Sequence, residues 1–175
     1  MARRVPYAPP YDGPELPPER AAVSLYRMLA HSPRLEVHWY QWVEGLRWDV
    51  EAPRHYREMA LLRSVQLAGS EYAWAYHAAG AGEHGISEEQ LRDLRRWRES
   101  DRFDERERAV LRLCDEVAEV AASEDCLAEL GRLFDPAEVV ELVVTAGFYQ
   151  GAARIFQALG AEVDPDFARH IESMR

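Results

Sequence analysis

The chain has 175 residues, of which 47% are hydrophobic, and its formal net charge at pH 7 is -10. This length and hydrophobic fraction predict one globular domain with a sizeable buried core. The 21 basic residues are all arginine, and 31 acidic residues outnumber them. Because phosphate binding requires a basic surface, this balance argues against nucleic acid as a main partner.

The sequence gives no sign of a membrane segment or a metal site. No apolar run approaches the ~20 residues of a membrane-spanning helix, and the basic N-terminus lacks the apolar segment of a secretory signal. These patterns predict a cytoplasmic protein. Cys114 and Cys126 match neither a CxxC nor a zinc-ligand spacing. Cys114 is expected to be buried and inert and Cys126 more exposed, and a disulfide between them has no support in the sequence.

Residues 1–18 contain six of the ten prolines and are predicted to form an extended arm. Tyr7 and Tyr11 lie along this arm. Such an arm either packs across its own domain or a neighbouring subunit, or is a loose tail, and the sequence leaves these alternatives open. The helical domain is expected to cover residues 19–175.

From residue 19 onward the sequence predicts an all-α domain of roughly seven to nine helices. The first is expected to end at Pro33, the second to run from about Pro33 to Trp48, the third to lie between Pro53 and Gly69, and the fourth to start at Ser70. The second carries an apolar stripe at spacings of three and four, formed by Leu35, Trp39, Trp42, Val43 and Leu46.

Three further helices have clear N-terminal signals. Ser87–Gln90 and Asp104–Glu107 have the spacing of capping boxes. Asp135–Glu138 combines a cap, a proline at the first helical position and an acid in the first turn. The helix behind it is the most apolar in the chain, and Gly147 and Gly151 offer a flat strip for close contact with another helix.

Candidate chemistry is concentrated between Glu58 and His77. If their two helices pack antiparallel, the carboxylate comes within reach of the imidazole and forms a proton-relay pair. Each residue also has a plainer interpretation. Glu58 could be a surface acid paired with Arg54 or Arg57, and a lone histidine is more often structural than catalytic.

The helix start at Ser70 is a candidate binding site for an anion or an oxyanion. Gly69 suits the end of one helix and Ser70 the N-cap of the next. The unpaired amides at such a helix end attract negative charge, and here they belong to Glu71, Tyr72 and Ala73. His77 lies two turns further on the same face. The plainer interpretation is that Ser70 is only a cap.

Trp74 and Tyr149 are candidates for the wall of an enclosed, aromatic cavity beside His77. Trp74 shares a helical face with His77. Trp74 and its neighbour Tyr76 are more often packing residues than substrate contacts. An enclosed, aromatic-lined cavity beside His77 would favour a small-molecule enzyme, and a collapsed, fully packed site would favour a structural role.

The segment from Arg57 to His77 resembles the conserved core of the carboxymuconolactone decarboxylase and alkylhydroperoxidase-D superfamily. In the peroxidase branch this core reads Glu, eleven residues, Cys, two residues, Cys, three residues, His, with a tyrosine just before the second cysteine. The corresponding residues here are Glu58, Ser70, Tyr72, Ala73 and His77. Residues 103–117 and 133–160 also resemble the family.

The resemblance implies an all-helical subunit that assembles into homotrimers or hexamers, with active sites near subunit contacts and neither metal nor organic cofactor. A neighbouring subunit could then supply an arginine to the site, for which Arg154 is a candidate. Peroxide reduction needs a thiolate and a resolving thiol. Since Ser70 and Ala73 replace both cysteines, we predict no CxxC-type peroxidase activity.

The resemblance to the decarboxylase branch implies proton transfer on a small carboxylate or lactone. In this hypothesis His77 is the general acid or base, Glu58 orients it or shares its proton, and Tyr72 belongs to the same catalytic group. The helix end at Ser70 holds a carboxylate or enolate. The alternative is a family member that has lost redox activity and serves as a non-catalytic oligomeric or ligand-binding protein.

Overall fold

The helical signals of the sequence correspond to helices at nearly the predicted positions. The computed structural model describes residues 5–8, 16–17 and 23–174. Across these ranges the chain forms eight α-helices and no strand: α1 Ser24–Leu29, α2 Pro33–Trp48, α3 Arg54–Leu67, α4 Glu71–Gly80, α5 Glu88–Asp93, α6 Glu105–Glu119, α7 Glu124–Leu133 and α8 Pro136–Leu159. Three 3₁₀ segments span Ala81–His84, Leu94–Arg96 and Pro165–Met174. The predicted all-α fold is confirmed.

The predicted caps start their helices. The side chains of Ser87, Asp104 and Asp135 accept hydrogen bonds from backbone N–H groups of the first turn, and each forms a reciprocal capping box. Helix α8 ends at Gly160, which has a φ of 74°. A residue with a side chain rarely adopts this left-handed conformation, so glycine is well suited to end the helix there.

Helix α3 is the centre of the core. It packs against α4, α6 and α8, and Met59, Leu62 and Val65 are fully buried along it. Burying an aliphatic side chain of this kind stabilises the fold by about 1.5–3 kcal/mol. A helix surrounded by neighbours buries polar residues as well, and Arg63 of α3 pairs with Asp115 of α6 at 2.7 Å. Residues of α3 are therefore held in fixed positions.

The apolar stripe predicted on α2 is only partly buried within the subunit. Leu35 and Trp42 remain 53% and 51% exposed, and Trp48 is 65% exposed. In α8, no neighbouring atom of the described residues lies within contact distance of a methyl group added at Gly147 or Gly151. The helix contact expected at Gly147 and Gly151 is therefore not made by the described residues of a single subunit.

Helix α8 is 24 residues long and, within the described part of the chain, is the one helix with the length and hydropathy of a membrane span. Length and composition are its only resemblance to such a span, because core helices of non-membrane proteins pass the same test. It packs against α3 and α6, and Leu142, Ala146 and Ala153 on it are fully buried. This is the position of a core helix.

The described part of the N-terminal arm packs on its own domain. The backbone N–H of Val5 donates to the carbonyl of Leu159, and that of Ala8 donates to the carbonyl of Arg27. The Arg27 guanidinium lies 3.6 Å from the centre of the Tyr7 ring. Tyr11 lies outside the described residues. The division of the chain at residue 18 stays a prediction.

Both cysteines are free and fully buried. The prediction for Cys114 is confirmed: its thiol donates to the carbonyl of Ala60. The expectation of a more exposed Cys126 is wrong, because this residue is in the first turn of the amphipathic helix α7, on the side that faces the core.

Candidate functional site

Glu58 and His77 meet as the sequence analysis expected. Gly69, with a φ of 71°, lies in the tight connection between α3 and α4, where the left-handed conformation favours glycine. The connection brings Oε1 of Glu58 to 2.6 Å from Nδ1 of His77. The other carboxylate oxygen, Oε2, lies 2.9 Å from Nη2 of Arg54, one turn earlier in α3.

The Glu58 carboxyl group is ionised. Only 2% of this residue is exposed, and burial alone would raise its pKa, but the charge and hydrogen bond of His77 and the charge of Arg54 lower the pKa to about 2. An ionised carboxylate only accepts hydrogen bonds, so Nδ1 of His77 carries the proton between them. This bond fixes the ring and leaves Nε2 as the nitrogen free for chemistry.

His77 faces an aromatic cleft of about 90 Å³, the His77 cavity. Its walls come from the segment around α1 and from α2, α4 and α8. The lining residues are Val23, Leu25, Tyr26, Trp39, Val43, Arg47, Tyr72, Ala73, Tyr76, His77, Phe148, Tyr149 and Phe156. The His77 side chain keeps 21% of its surface exposed, so its imidazole is accessible from the cavity.

Two predicted tyrosines line this cavity. The Tyr149 ring stands edge-on to His77 with 5.7 Å between ring centres. The Tyr72 hydroxyl accepts a hydrogen bond from the backbone N–H of Leu25 at 3.1 Å. Burial raises the pKa of both phenols well above the usual range. Both hydroxyls therefore stay protonated and act as neutral polar groups.

Trp74 does not line the His77 cavity, so that prediction is wrong. The residue is fully buried, and its indole Nε1 donates to the carbonyl of His170 at 3.0 Å and lies 3.2 Å from Oγ of Ser173. Trp74 lies one position away from the face of α4 that carries Ala73 and His77. Its large ring is instead covered by the C-terminal 3₁₀ segment.

The helix start at Ser70 belongs to a different cavity, contrary to expectation. Ser70 caps α4 by accepting from the N–H of Ala73 at 3.4 Å, and it lines a second cavity of about 490 Å³ together with Glu71. Tyr72 and Phe156 line both cavities and thus form the wall between them. Of the predicted substrate contacts at this end, Ala73 reaches the His77 cavity, while Ser70 and Glu71 do not.

The sequence did not predict that α2 and several aromatic residues of α8 line the cavity. Trp39, Val43 and Arg47 reach it from α2, and Phe148 and Phe156 reach it from α8. The adjacent aromatic residues Phe148 and Tyr149 in the apolar helix α8 could have indicated an aromatic wall. Only the fold shows which side chains of α2 and α8 meet at the cavity. Arg154 is exposed and does not line the cavity of its own subunit.

No group of three or more histidine, cysteine or acidic side chains suited to a metal ion occurs among residues 5–8, 16–17 and 23–174. A second histidine–carboxylate pair joins α3 to α6. His55 Nε2 lies 2.7 Å from Oε1 of Glu107, and His55 Nδ1 lies 2.9 Å from the carbonyl of His84. Both ring nitrogens are engaged, so this pair has a structural role.

Residues 33–116 match the model of the Carboxymuconolactone decarboxylase family. A putative antioxidant defence protein AhpD from Agrobacterium tumefaciens has the same fold, with 23% identity, a TM-score of 0.72 and coverage of 78% of this chain and 94% of that chain. An uncharacterised peroxidase-related protein from Ralstonia eutropha, with an alkylhydroperoxidase AhpD core, has 18% identity, a TM-score of 0.74 and coverage of 92% and 96%.

A debrominase in complex with 2,3,4-tribromopyrrole also has this fold, with 14% identity, a TM-score of 0.76 and coverage of 86% of this chain and 81% of that chain. A search among functionally curated proteins finds no significant match. At these identities the structural likeness establishes the fold. The matching family model and the Glu58-to-His77 spacing, together with this fold, show that the chain belongs to the carboxymuconolactone decarboxylase and alkylhydroperoxidase-D-like superfamily.

Proposed function

We propose that this protein is an enzyme that carries out cofactor-independent acid/base chemistry on a small unsaturated acid or lactone. The observation that carries the proposal is the 2.6 Å contact between His77 and the ionised Glu58 at the wall of an aromatic cavity. A histidine held by a buried carboxylate is a common arrangement for proton transfer near neutral pH.

In the proposed mechanism, Nε2 of His77 exchanges a proton with a carbon atom of the substrate. In an isomerisation it takes a proton from the carbon beside a conjugated carbonyl, and the electron pair is delocalised as an enolate. A proton from Nε2, which exchanges with solvent water, then adds at the other end of the conjugated system. In a decarboxylation Nε2 first takes a proton from water; the bond to the carboxylate breaks, carbon dioxide leaves, and the enolate carbon takes this proton from His77. Neither sequence needs an oxidant.

Glu58 acts in this proposal as a positioning residue. It is only 2% exposed, and it lines a small void behind His77 and not the His77 cavity itself. Its carboxylate fixes the imidazole and stabilises the imidazolium that forms when Nε2 takes a proton. Tyr72 and Tyr149 also line the cavity, and in this proposal their protonated hydroxyl groups hydrogen-bond an enolate oxygen.

The comparisons support this class of function without fixing the reaction. The matched family is named for a decarboxylase, and a neighbour of the same fold is a debrominase whose bound ligand is a small substituted ring. An aromatic cavity beside a fixed histidine suits the flat, unsaturated part of a small molecule.

A non-catalytic ligand-binding role is the alternative, and the small cavity is the observation that argues against a buried reaction of a whole lactone. At about 90 Å³ the His77 cavity is smaller than the roughly 150 Å³ that accommodates a benzene ring. A carboxylated lactone would therefore extend into the mouth of the cleft or require the walls to move. Binding without turnover in the assay below would support this alternative.

Deuterium incorporation from D2O into carboxymuconolactone and into a simple unsaturated γ-lactone, followed by NMR, tests the proposal. This measurement detects proton transfer to carbon even without net conversion. We expect exchange with the wild-type protein, none with His77→Gln, and a rate lowered by about 10²-fold or more with Glu58→Gln. His38→Gln, which removes an exposed histidine of α2, is the matched control and should leave the rate unchanged.

We further propose that the protein is a cytoplasmic homo-oligomer, a trimer or hexamer. The exposed Trp42 and Trp48 of α2 and the open glycine strip of α8 support an additional contact between copies. Light scattering coupled to size-exclusion chromatography measures the subunit number. A monomer at micromolar concentration would contradict this part of the proposal.

A further inference from the structure

The lining of the His77 cavity is uneven in charge. It is built from aliphatic and aromatic side chains, one histidine and the guanidinium of Arg47. Among the described residues that line it, none is acidic, and Arg47 is the one with a permanent charge. A low-dielectric aromatic wall strengthens the field of such a charge inside the cavity.

Arg47 lies in the last turn of α2 and keeps 22% of its side chain exposed. This combination places it at the mouth of the cleft. Its Nη1 lies 4.0 Å from Oε1 of Glu44, one turn earlier on the same helix. An arginine at a helix C-terminus also interacts favourably with the helix dipole, and this is its simplest structural role.

The buried acid behind His77 does not oppose an anion in the cavity. The Glu58 carboxylate is held between His77 and Arg54, at 2.6 Å and 2.9 Å. The Glu58 carboxylate is therefore paired, and His77 lies between it and the cavity. Among the cavity-lining residues that the structure describes, Arg47 carries the one permanent charge that a ligand meets.

One hydroxyl in the cavity wall is without a partner. The buried Oη of Tyr76 makes no hydrogen bond to any described residue, although its ring stacks on Phe167 with 4.2 Å between centres. Leaving a buried hydroxyl without a hydrogen bond is unfavourable, because water no longer solvates it. A ligand with an acceptor oxygen would satisfy it.

We infer that Arg47 is a specificity-determining residue that selects an anionic ligand, a small planar carboxylate, for the His77 cavity. The carboxylate pairs with the guanidinium, and the unsaturated part lies against the aromatic wall that Trp39 and Phe148 form beside His77. This assigns anion recognition to Arg47 and not to the helix start at Ser70. The inference rests on the proposed function for its reaction, but the binding step stands by itself.

Calorimetric titration with 2-furoate and 2-furamide tests the inference. The two probes have the same shape and differ in charge. Their five-membered ring is smaller than a benzene ring and is the part expected inside the His77 cavity, while the carboxylate or amide group lies beside Arg47. We expect the wild-type protein to bind 2-furoate about tenfold or more tightly than 2-furamide. Arg47→Gln should remove this preference, and Arg47→Lys should keep part of it.

Arg34→Gln, which removes an exposed arginine from the same helix, is the matched control and should bind both probes as the wild type does. Equal affinity for the two probes, no detectable binding of 2-furoate, or an unchanged preference in Arg47→Gln would overturn the inference. Titration of His77→Gln separates the two proposals: we expect it to bind 2-furoate while it fails to exchange protons. Loss of exchange activity alone therefore leaves the role of Arg47 standing.

Discussion

Replacing Glu58 by glutamine should destabilise the protein far more than replacing an exposed acid. The substitution keeps the shape of the side chain but removes a buried negative charge that lies between His77 and Arg54. Arg54 would then lose its close carboxylate partner. Leaving a fully buried charge unpaired typically costs about 3–5 kcal/mol, and the side chain of Arg54 is 19% exposed, so the cost here lies at or below the lower end of this range.

The pKa of Glu58 gives an independent magnitude. The ordinary value for glutamate is 4.5, and that of Glu58 is about 2. Each pKa unit corresponds to about 1.4 kcal/mol, so the folded state favours the ionised carboxylate by about 3 kcal/mol. For a domain of this length, that loss lowers the melting temperature by roughly 6–12 °C.

The stability difference also depends on pH in a defined direction. The folded pKa of Glu58 is lowered, so its contribution is fully present above the ordinary value of 4.5 and is lost as the pH falls towards about 2. Urea unfolding at a series of pH values measures this. We expect a constant gap in unfolding free energy between wild type and Glu58→Gln above pH 5, and a narrowing gap below pH 4.5.

Glu105→Gln is the matched control, because Glu105 is 67% exposed and its partner Arg132 lies 3.4 Å away. We expect a change of at most about 1 kcal/mol there. Wild-type stability in Glu58→Gln, or a gap that does not change between pH 5 and pH 2.5, would refute the reasoning.

Three further predictions concern other sites. The wild-type protein should not reduce organic hydroperoxides with a dithiol, because burial raises the pKa of Cys114 to about 12 and that of Cys126 to about 11; dithiol-dependent turnover would contradict this. Asp135→Ala should lower the unfolding free energy by about 1 kcal/mol, measured in urea, because it removes the cap of α8. The hydrogen bond with Glu107 raises the pKa of His55. The pair therefore adds to the unfolding free energy below pH 6.5, and this contribution is lost as the pH rises above that value. His55→Gln should make the unfolding free energy less dependent on pH in this range, and an unchanged pH dependence would argue against the pair.

The helices and their starts could be predicted because their signals are local. The capping boxes at Ser87 and Asp104 and the proline-led start of α8 depend on residues within one turn of each other. The Glu58–His77 contact was also within reach, since a short connection at Gly69 leaves little freedom for the two helices.

The wall of the cavity could not be predicted, because it joins residues distant in the chain. Arg47 and Tyr149 are about a hundred residues apart, and no local pattern links them. Trp74 was expected in the cavity wall because its spacing from His77 suggested a shared face of α4. Its ring lies at the edge of that face, where the C-terminal 3₁₀ segment covers it. The exposure of Trp42 likewise depends on which elements are available to cover it.

The most direct test of the central claim is chemical rescue of His77→Ala by imidazole, measured as deuterium incorporation into the lactone probes. Removing the ring leaves space beside Glu58 that imidazole fits, with the carboxylate still placed to accept its N–H. The account predicts that exchange is lost in His77→Ala and returns in proportion to added imidazole. Exchange at the wild-type rate in His77→Ala without imidazole would contradict it.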